Sequence, residues 1–207
     1  MAIGVFGGTF DPVHVGHLRI AEEVREAFSL ERIYFVPASV QPLKATVVAA
    51  GADERVRMLK MAIAGNGFFR ISSTEIRRRG LSYSIDTVRH FSRRFGQIFF
   101  LVGTDAFLDI GLWKDWSDLF SSADFVVMVR PGNEFSGFPR GLARQIRKID
   151  EATFEHGSGR RIYFRRITQL DISSTRIREL ASAGKSIKYL VPGAVERYIM
   201  SRGLYRS

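Results

Sequence analysis

The sequence contains no cysteine, and this absence removes several kinds of chemistry at once. Disulfide bonds, cysteine nucleophiles and thiolate metal sites are excluded, because each requires a cysteine side chain. A chain without cysteine fits the reducing cytoplasm, where we expect the protein to act. No stretch approaches the ~20 apolar residues of a membrane-spanning helix, and no basic segment precedes the apolar run at residues 1–6. We therefore expect no membrane partner and no cleaved leader.

Acidic residues are in deficit, with 21 Asp and Glu against 31 Lys and Arg, which gives a net charge of +10. Such an excess points to a polyanionic partner, and nucleic acid is the first class to consider. The excess is five in each half of the chain, and we find no basic tail and no nucleic-acid-binding motif. We therefore expect no nucleic acid partner. A basic nucleic-acid-binding module remains a distant alternative, and it would show a steep salt dependence of binding.

Short apolar runs of strand length alternate with segments whose apolar residues recur at helical spacing. This alternation predicts an α/β fold, with a Rossmann-like, doubly wound, mainly parallel sheet and helices on both faces. We expect one domain over residues 1–207, with a helical C-terminal part from about residue 172. Residues 38–52 and 132–139 are predicted loops. The predicted strands cover residues 3–6, 32–36, 68–72, 97–102, 124–129 and 161–167, and the predicted helices cover 16–28, 53–64, 85–95, 174–183 and 192–202.

The first motif covers residues 7–17 and reads Gly-Gly-Thr-Phe-Asp-Pro-Val-His-Val-Gly-His, directly after the first predicted strand. Ligands of doubly wound sheets bind beyond the carboxyl ends of the strands, and a helix start attracts anions. His14 and His17 are three residues apart, so both lie on one face of the first helical turn. The candidate phosphate-binding residues of this motif are Gly7, Gly8, Thr9, Phe10 and Gly16.

Other readings of the first motif are weaker. The spacing of its glycines matches neither the dinucleotide fingerprint nor the P-loop. A zinc site would need further ligands, and His90 and His156 occur in unrelated contexts. Asp11-Pro12 could by itself serve only to set a turn. No single packing purpose explains the whole string, so we expect it to bind an anionic ligand.

The second motif is Ile-Ser-Ser-Thr-Arg-Ile-Arg at residues 172–178. Hydroxyls and exposed N–H groups at a helix start, together with the planar guanidinium of Arg178, favour binding of phosphate oxygens. We therefore predict that Ser174, Thr175 and Arg178 bind phosphate. A near copy, Ile-Ser-Ser-Thr-Glu-Ile-Arg, occurs at residues 71–77, so spacing alone does not choose between them. After the near copy, Arg78-Arg79-Gly80 stops a helix, whereas an amphipathic pattern continues beyond Arg178.

Together the two motifs resemble the signatures of the nucleotidyltransferase superfamily that carries the T/H-x-G-H motif, and its nicotinate-mononucleotide adenylyltransferase branch in particular. The resemblance spans nearly the whole chain. In that family the working copy of the second motif precedes an S-I-x-Y-L-V-P stretch, which matches residues 186–192. The resemblance thus assigns phosphate binding to the copy at 172–178 and leaves the copy at 71–77 as coincidental. His14 stands where phosphopantetheine adenylyltransferases usually have threonine.

The resemblance also implies a second substrate site. Residues 80–87 resemble the family's G-x-S-Y-T-x-D-T stretch, with Ser84 in place of the usual threonine, and residues 101–105 resemble a G-x-D element whose acid contacts a ribose. Trp113 corresponds to a tryptophan beside the nicotinate ring, although a core tryptophan would serve packing equally well. The family's P-P-H-K loop is Gln41-Pro-Leu-Lys44 here, which keeps Lys44 but lacks the histidine. The implied nicotinate and ribose residues are Tyr83, Ser84, Gly103, Asp105 and Trp113.

The implied reaction is transfer of AMP from ATP to nicotinate mononucleotide, which gives deamido-NAD and pyrophosphate in NAD biosynthesis. Its catalytic residues would be His14, His17, Lys44 and Arg178, with Mg²⁺ on ATP, no protein-held metal and no tightly bound organic cofactor. The implied partners are the two substrates, and a homo-oligomer stays open. A sister adenylyl- or cytidylyltransferase, acting on phosphopantetheine or another phospho-alcohol, is the nearest alternative. An inactive scaffold is disfavoured because both motifs are intact, and the choice between nicotinate and nicotinamide mononucleotide stays open.

Overall fold

The computed structural model describes residues 2–43, 48–129, 137–168 and 170–206. Lys44 and most of the predicted loop at 132–139 lie outside these ranges. Within them, eight strands form one sheet in the order β3-β2-β1-β4-β5-β8-β7-β6. The strands are β1 (Ile3–Gly8), β2 (Arg32–Pro37), β3 (Phe69–Ile71), β4 (Ile98–Gly103), β5 (Asp124–Val129), β6 (Ile146–Asp150), β7 (Thr153–His156) and β8 (Arg161–Arg166).

The sheet is mainly parallel, which confirms the predicted α/β class. All pairs from β3 through β8 are parallel, and β6 and β7 add an antiparallel hairpin at one edge. The helices are α1 (Val15–Ala27), α2 (Ala52–Ala62), α3 (Thr74–Arg78), α4 (Ser84–Phe95), α5 (Thr104–Leu108), α6 (Trp116–Ser122), α7 (Arg140–Ala143), α8 (Ser174–Ser182) and α9 (Gly193–Arg202), with a 3-10 turn at Ile110–Leu112.

Two apolar clusters cover the two faces of this sheet, because alternate residues of a strand point to opposite sides. Phe6 of β1 packs in the cluster that includes Ile177 of α8 and Val195 of α9. Its neighbour Val5 packs in the other cluster, with Ile85 of α4. Helices therefore lie on both faces, as predicted, and the central strands are buried on both sides.

The direction of chain progression reverses at β1. From β1 the chain passes to β2 and β3 on one side, and it then returns to pair β4 with the other side of β1. Phe6 pairs with Phe35 of β2 and with Leu101 of β4, so the carboxyl ends of three parallel strands meet at one edge. Such a reversal leaves a crevice beyond the strand ends, where ligands of this architecture bind.

The sequence analysis missed the β6–β7 hairpin and the short helices α3, α5, α6 and α7. Strand β6 reads Ile-Arg-Lys-Ile-Asp and is exposed along most of its length, so it shows little apolar alternation. The missed helices have four to seven residues, too short for a helical period to stand out. No helix among the described residues is long and apolar enough to cross a membrane. The single-domain organisation stays a prediction.

Candidate active site

The first motif forms the turn between β1 and α1. Phe10 adopts a φ of 51° and is 2% exposed, with its ring folded back under the turn. A Cβ on Gly8 would lie 2.9 Å from that ring, so glycine is required there for the ring to pack. A Cβ on Gly7 would meet nothing within 4 Å. The backbone at Gly7 thus borders open space at the strand end, where the first motif was predicted to admit a ligand.

The two histidines of the motif lie face to face at the start of α1. Their ring centroids are 3.6 Å apart with an interplanar angle of 28°. The backbone N–H of His14 donates to Nδ1 of His17 at 3.2 Å. Because Nδ1 accepts this bond, the neutral imidazole of His17 carries its proton on Nε2. His17 is therefore arranged to donate a hydrogen bond from Nε2.

Packing fixes both rings. The ring of Phe10 stands edge-on to His17 at 5.0 Å between centroids. A Cβ on Gly16 would lie 3.0 Å from Nδ1 of His14, so glycine lets the His14 ring lie over the first turn of α1. The N–H of Val15 donates to the carbonyl of Leu190 at 3.0 Å. One of the N–H groups at the start of α1, where an anion was expected to bind, is therefore already paired within the chain.

The second motif begins α8 and contacts the first motif directly. Ser174 Oγ donates to the carbonyl of Pro12 at 2.9 Å, across 162 residues of sequence. Arg178 Nη1 donates to the carbonyl of Asp11 at 2.7 Å, and Nη2 donates to Thr175 Oγ1 at 3.3 Å. Ser173 is the N-cap of α8, and its Oγ accepts from the N–H of Arg176. The structure therefore brings the two end motifs together at the edge of the sheet.

The near copy at 71–77 serves a different purpose. Its helix α3 has five residues and ends at Arg78, and the two residues that follow, Arg79 and Gly80, both adopt positive φ. Glu75 is buried and accepts a hydrogen bond from Thr87 Oγ1 of α4 at 2.5 Å. Burial raises the pKa of Glu75, while hydrogen bonds from Thr87 and Ser82 oppose that rise. This copy is attached to the start of α4, a structural role that the reading as coincidence missed.

The predicted nicotinate residues Tyr83 and Ser84 begin α4 beside the same edge of the sheet. The N–H of Ala38 donates to the carbonyl of Gly8 at 2.9 Å, and the N–H of Ser39 donates to Ser82 Oγ at 2.8 Å. These two bonds lead from the first motif to the residue before Tyr83. The segment that resembles the family's G-x-S-Y-T-x-D-T stretch is thus linked to the turn that follows β1.

The remaining predicted residues follow β4, the other neighbour of β1. Gly103 ends β4 and caps α5, and Asp105 lies exposed in the first turn of that helix. Trp113 is half-buried, with its ring edge-on to Phe100 at 6.4 Å between centroids. Lys114 Nζ lies 4.6 Å from the centroid of the Tyr83 ring, which joins this segment to the start of α4. The structure thus gathers these residues along the carboxyl edge of the sheet, and Lys44 lies outside the described residues.

Three polar residues at the first motif have contacts that the sequence analysis missed, namely Asp11, Arg55 and Tyr205. Arg55 is 1% exposed although it lies on α2, a helix with many charged residues. Its position carried a signal, because Arg55 precedes the buried Met58 and Leu59 by three and four residues. An arginine on the apolar face of an amphipathic helix indicates a polar partner in the interior.

The sequence profile described as Cytidylyltransferase-like matches residues 5–180. The chain belongs to the cytidylyltransferase-like family. Two curated relatives carry the name "Probable nicotinate-nucleotide adenylyltransferase". The protein from Geotalea uraniireducens is 45% identical over 99% of this chain and 98% of its own length, and the protein from Geobacter sulfurreducens is 44% identical over the same shares. These relatives confirm the branch predicted from the two motifs.

Two solved structures of Plasmodium falciparum nicotinic acid mononucleotide adenylyltransferase have the same fold. The complex with NaAD has a TM-score of 0.73 at 17% identity and covers 99% of this chain and 97% of its own. The complex with APC has a TM-score of 0.72 at 16% identity and covers 99% and 96%. At these identities the likeness concerns the fold, and it confirms the Rossmann-like architecture expected from the sequence.

Proposed function

We propose that this chain is a nicotinate-nucleotide adenylyltransferase, which transfers AMP from ATP to nicotinate mononucleotide and releases pyrophosphate. The observation that carries the proposal is the direct hydrogen bonding between the two motifs at the turn that follows β1. The full-length curated relatives and the neighbour complexed with NaAD support the same activity. The cysteine-free composition favours the cytoplasm as its compartment.

The proposed reaction demands alignment of two anions more than proton transfer. The 5′-phosphate of the mononucleotide attacks the α-phosphorus of ATP, a bond forms between them, and pyrophosphate leaves with the bonding electrons. The attacking phosphate is already anionic near neutral pH, so no general base is needed. The protein must hold two mutually repelling phosphates in line and offset the charge that develops on the leaving group.

The residues of the first motif suit the ATP side of this task. His17 can donate from Nε2 because its Nδ1 already accepts the His14 N–H. The turn at Gly7 borders open space, and backbone can there approach a phosphate closely. We assign His14 and His17 to the triphosphate, with Gly7, Gly8, Thr9, Phe10 and Gly16 forming the turn around it.

The second motif supplies the fixed cation. Two nitrogens of Arg178 donate to the backbone carbonyl of Asp11 and to Oγ1 of Thr175. These bonds orient the guanidinium plane against the first motif. A guanidinium has further N–H donors in the same plane, which suit bidentate binding of phosphate oxygens. We assign Arg178, with Ser174 and Thr175, to the phosphates of ATP, and we keep Lys44 as a proposed catalytic cation.

Mg²⁺ is treated as part of the ATP substrate. This ion keeps several waters and binds through substrate phosphates, with few protein carboxylates. The described residues contain no group of three or more His, Asp and Glu side chains that could hold a metal. We therefore propose that the ion is bound mainly through the triphosphate, where it neutralises charge.

The mononucleotide is assigned to the start of α4 and to the segment that follows β4. Tyr83, Ser84 and Trp113 would surround the pyridine ring, since an indole and a phenol stack well on a flat aromatic ring. Gly103 and Asp105 at the end of β4 would contact the ribose, whose hydroxyls a carboxylate can accept. Both substrates would then meet at the reversal point of the sheet.

The test is pyrophosphate release from ATP with one second substrate at a time: nicotinate mononucleotide, nicotinamide mononucleotide or phosphopantetheine. We expect release with nicotinate mononucleotide, a mass-identified deamido-NAD product, and a lower kcat/KM with the other two. Activity with phosphopantetheine alone would move the chain to the sister branch. Absence of release with every substrate, from a folded protein that binds DNA or RNA with a steep salt dependence, would favour the nucleic-acid-binding alternative.

A further inference from the structure

The carboxylate of Asp11 is buried inside the first motif and accepts three hydrogen bonds. Its Oδ2 accepts from the N–H of Ala49 at 2.8 Å, and its Oδ1 accepts from the N–H of Ala50 at 3.1 Å. Oδ1 also accepts from the hydroxyl of Tyr205 at 2.7 Å, although Tyr205 lies 194 residues away in sequence. Asp11 is 3% exposed, so these donors replace the water that its charge would otherwise require.

Arg55 of α2 links the same two segments as Asp11, the first motif and residue 50. Its Nη1 donates to the carbonyl of Thr9 at 2.7 Å, and its Nε donates to the carbonyl of Ala50 at 3.2 Å. Burial lowers the pKa of Arg55, and the nearby charge of Asp11 opposes that change. A buried guanidinium and a buried carboxylate thus each hold backbone groups of this region in place.

Tyr205 contributes as a donor. Burial raises the pKa of its hydroxyl, and the hydrogen bond to Asp11 raises it further. The hydroxyl therefore stays protonated across the working range of pH and always donates to Asp11. Tyr205 follows α9 and also adopts a positive φ of 66°, so the final residues of the chain turn back toward the first motif.

Three side chains from two helices hold the backbone of the first motif. Arg55 binds the carbonyl of Thr9, Arg178 binds that of Asp11, and Ser174 binds that of Pro12. Three carbonyls of one turn are thus fixed by two distant segments of the chain, α2 and the second motif. Apolar packing alone would leave these carbonyls unpaired, and it would not define the direction of His14 and His17 as tightly.

We propose that Asp11, Arg55 and Tyr205 form a positioning network that sets the geometry of the first motif, so that the C-terminal residues of the chain tune turnover without touching either substrate. The inference rests on the proposed adenylyltransferase function. The network acts through the turn and through residues 49–50, which Asp11 ties to it. Its effect falls on alignment in the transition state, since small displacements of catalytic groups reduce the rate steeply.

Tyr205→Phe tests this proposal because it removes one hydroxyl and nothing else. Tyr198→Phe is the matched control. The hydroxyl of Tyr198 likewise donates to a carboxylate, but its acceptor is Glu54 of α2 and not Asp11 of the first motif. We expect Tyr205→Phe to lower kcat about tenfold with KM for both substrates changed by less than about twofold. Tyr198→Phe should keep kcat within about twofold of wild type. Equal kcat values for the two variants would overturn the proposal.

A second measurement keeps the proposal testable apart from the activity. Hydrogen exchange of the amides of Ala49 and Ala50 reports on the Asp11 bonds directly, whatever reaction the protein catalyses. We expect about tenfold faster exchange at both amides in Asp11→Asn, and a smaller increase in Tyr205→Phe, relative to Tyr198→Phe. Unchanged exchange in Asp11→Asn would overturn the network even if the enzyme assay succeeds. Faster exchange in a protein that releases no pyrophosphate would instead reject the proposed function and keep the network.

Discussion

Two nearly identical heptapeptides occur 101 positions apart, at 71–77 and at 172–178, and the fold uses them differently. Each begins a helix at its serine and threonine positions. The first copy leads into a five-residue helix at the β3 edge, and its Glu75 is buried against Thr87. The second copy leads into a helix of nine residues, and its Ser174 and Arg178 bind the first motif in the turn after β1. A hydroxyl-rich helix start becomes a phosphate-binding candidate through the neighbours that its position provides.

The two copies differ at one residue, and this difference explains part of their different roles. The first copy has Glu75 where the second has Arg176, and the arginine side chain is exposed. Glu75 replaces solvent with the hydroxyls of Thr87 and Ser82, which attaches its helix to the start of α4. Arg176 pairs instead with Glu179 on the surface of α8, and this leaves the inner face of α8 to the first motif.

The role assigned to the copy at 172–178 requires that the first motif, which this copy binds, performs the chemistry. His17→Ala removes the Nε2 donor, and we expect kcat to fall by about 10² or more, as after loss of a transition-state donor. Pyrophosphate release measures the change, and circular dichroism checks the fold. His90→Ala is the control, because His90 is exposed on α4. Turnover close to wild type in a folded His17→Ala protein would contradict the assignment.

The two serines at equivalent positions sharpen the comparison. Ser174→Ala removes the hydrogen bond to the carbonyl of Pro12, and we expect kcat/KM to fall about tenfold because one buried carbonyl loses its partner. Ser73→Ala alters the matching position of the first copy, and we expect a change of less than about twofold. Steady-state kinetics of both variants give the ratio. A larger loss in Ser73→Ala would reverse the roles of the copies.

The smallest effect concerns stability and the buried acid of the first copy. Burial raises the pKa of Glu75 above its ordinary value of 4.5, so its ionisation in the folded state costs free energy. The stability it contributes is present at low pH and is lost as pH rises through the raised pKa. Relative to wild type, Glu75→Gln should therefore gain free energy of unfolding between pH 5 and pH 8, by about 1.4 kcal/mol per unit of pKa shift.

Urea unfolding of wild type and Glu75→Gln at both pH values measures this difference. Glu151→Gln is the control, because the side chain of Glu151 is 95% exposed and its replacement should leave the pH dependence unchanged. A difference that moves the other way, in favour of wild type at pH 8, would show that the hydrogen bonds from Thr87 and Ser82 outweigh the burial of Glu75.

Much of the central fold could be predicted from the sequence. The strand predicted at 124–129 has the observed bounds, and the helices predicted at 85–95 and 53–64 are observed at Ser84–Phe95 and Ala52–Ala62. These elements are buried on one or both sides, so their apolar periodicity is strong. The β6–β7 hairpin could not be predicted in this way, because its exposed residues are free to be charged.

The parts of the candidate site that consist of short sequence motifs could be predicted. The parts that depend on contacts between distant residues could not. The residues of both motifs were named from their letters, and their mutual hydrogen bonds agree with a shared site. The bonds of Asp11 to residues 49, 50 and 205 depend on tertiary structure, and no local pattern encodes them. The net charge of +10 likewise did not indicate which arginines would be buried at the site.

The most direct test replaces the final arginine of each copy, Arg178→Ala and Arg77→Ala, and measures pyrophosphate release from ATP and nicotinate mononucleotide side by side. The account predicts that Arg178→Ala lowers kcat/KM by about 10² or more, because a charge-assisted phosphate contact and the bond to Asp11 are lost together. Arg77→Ala, at an exposed position of α3, should stay within about twofold of wild type. Near-normal activity in Arg178→Ala, or an equal loss in Arg77→Ala, would contradict the account.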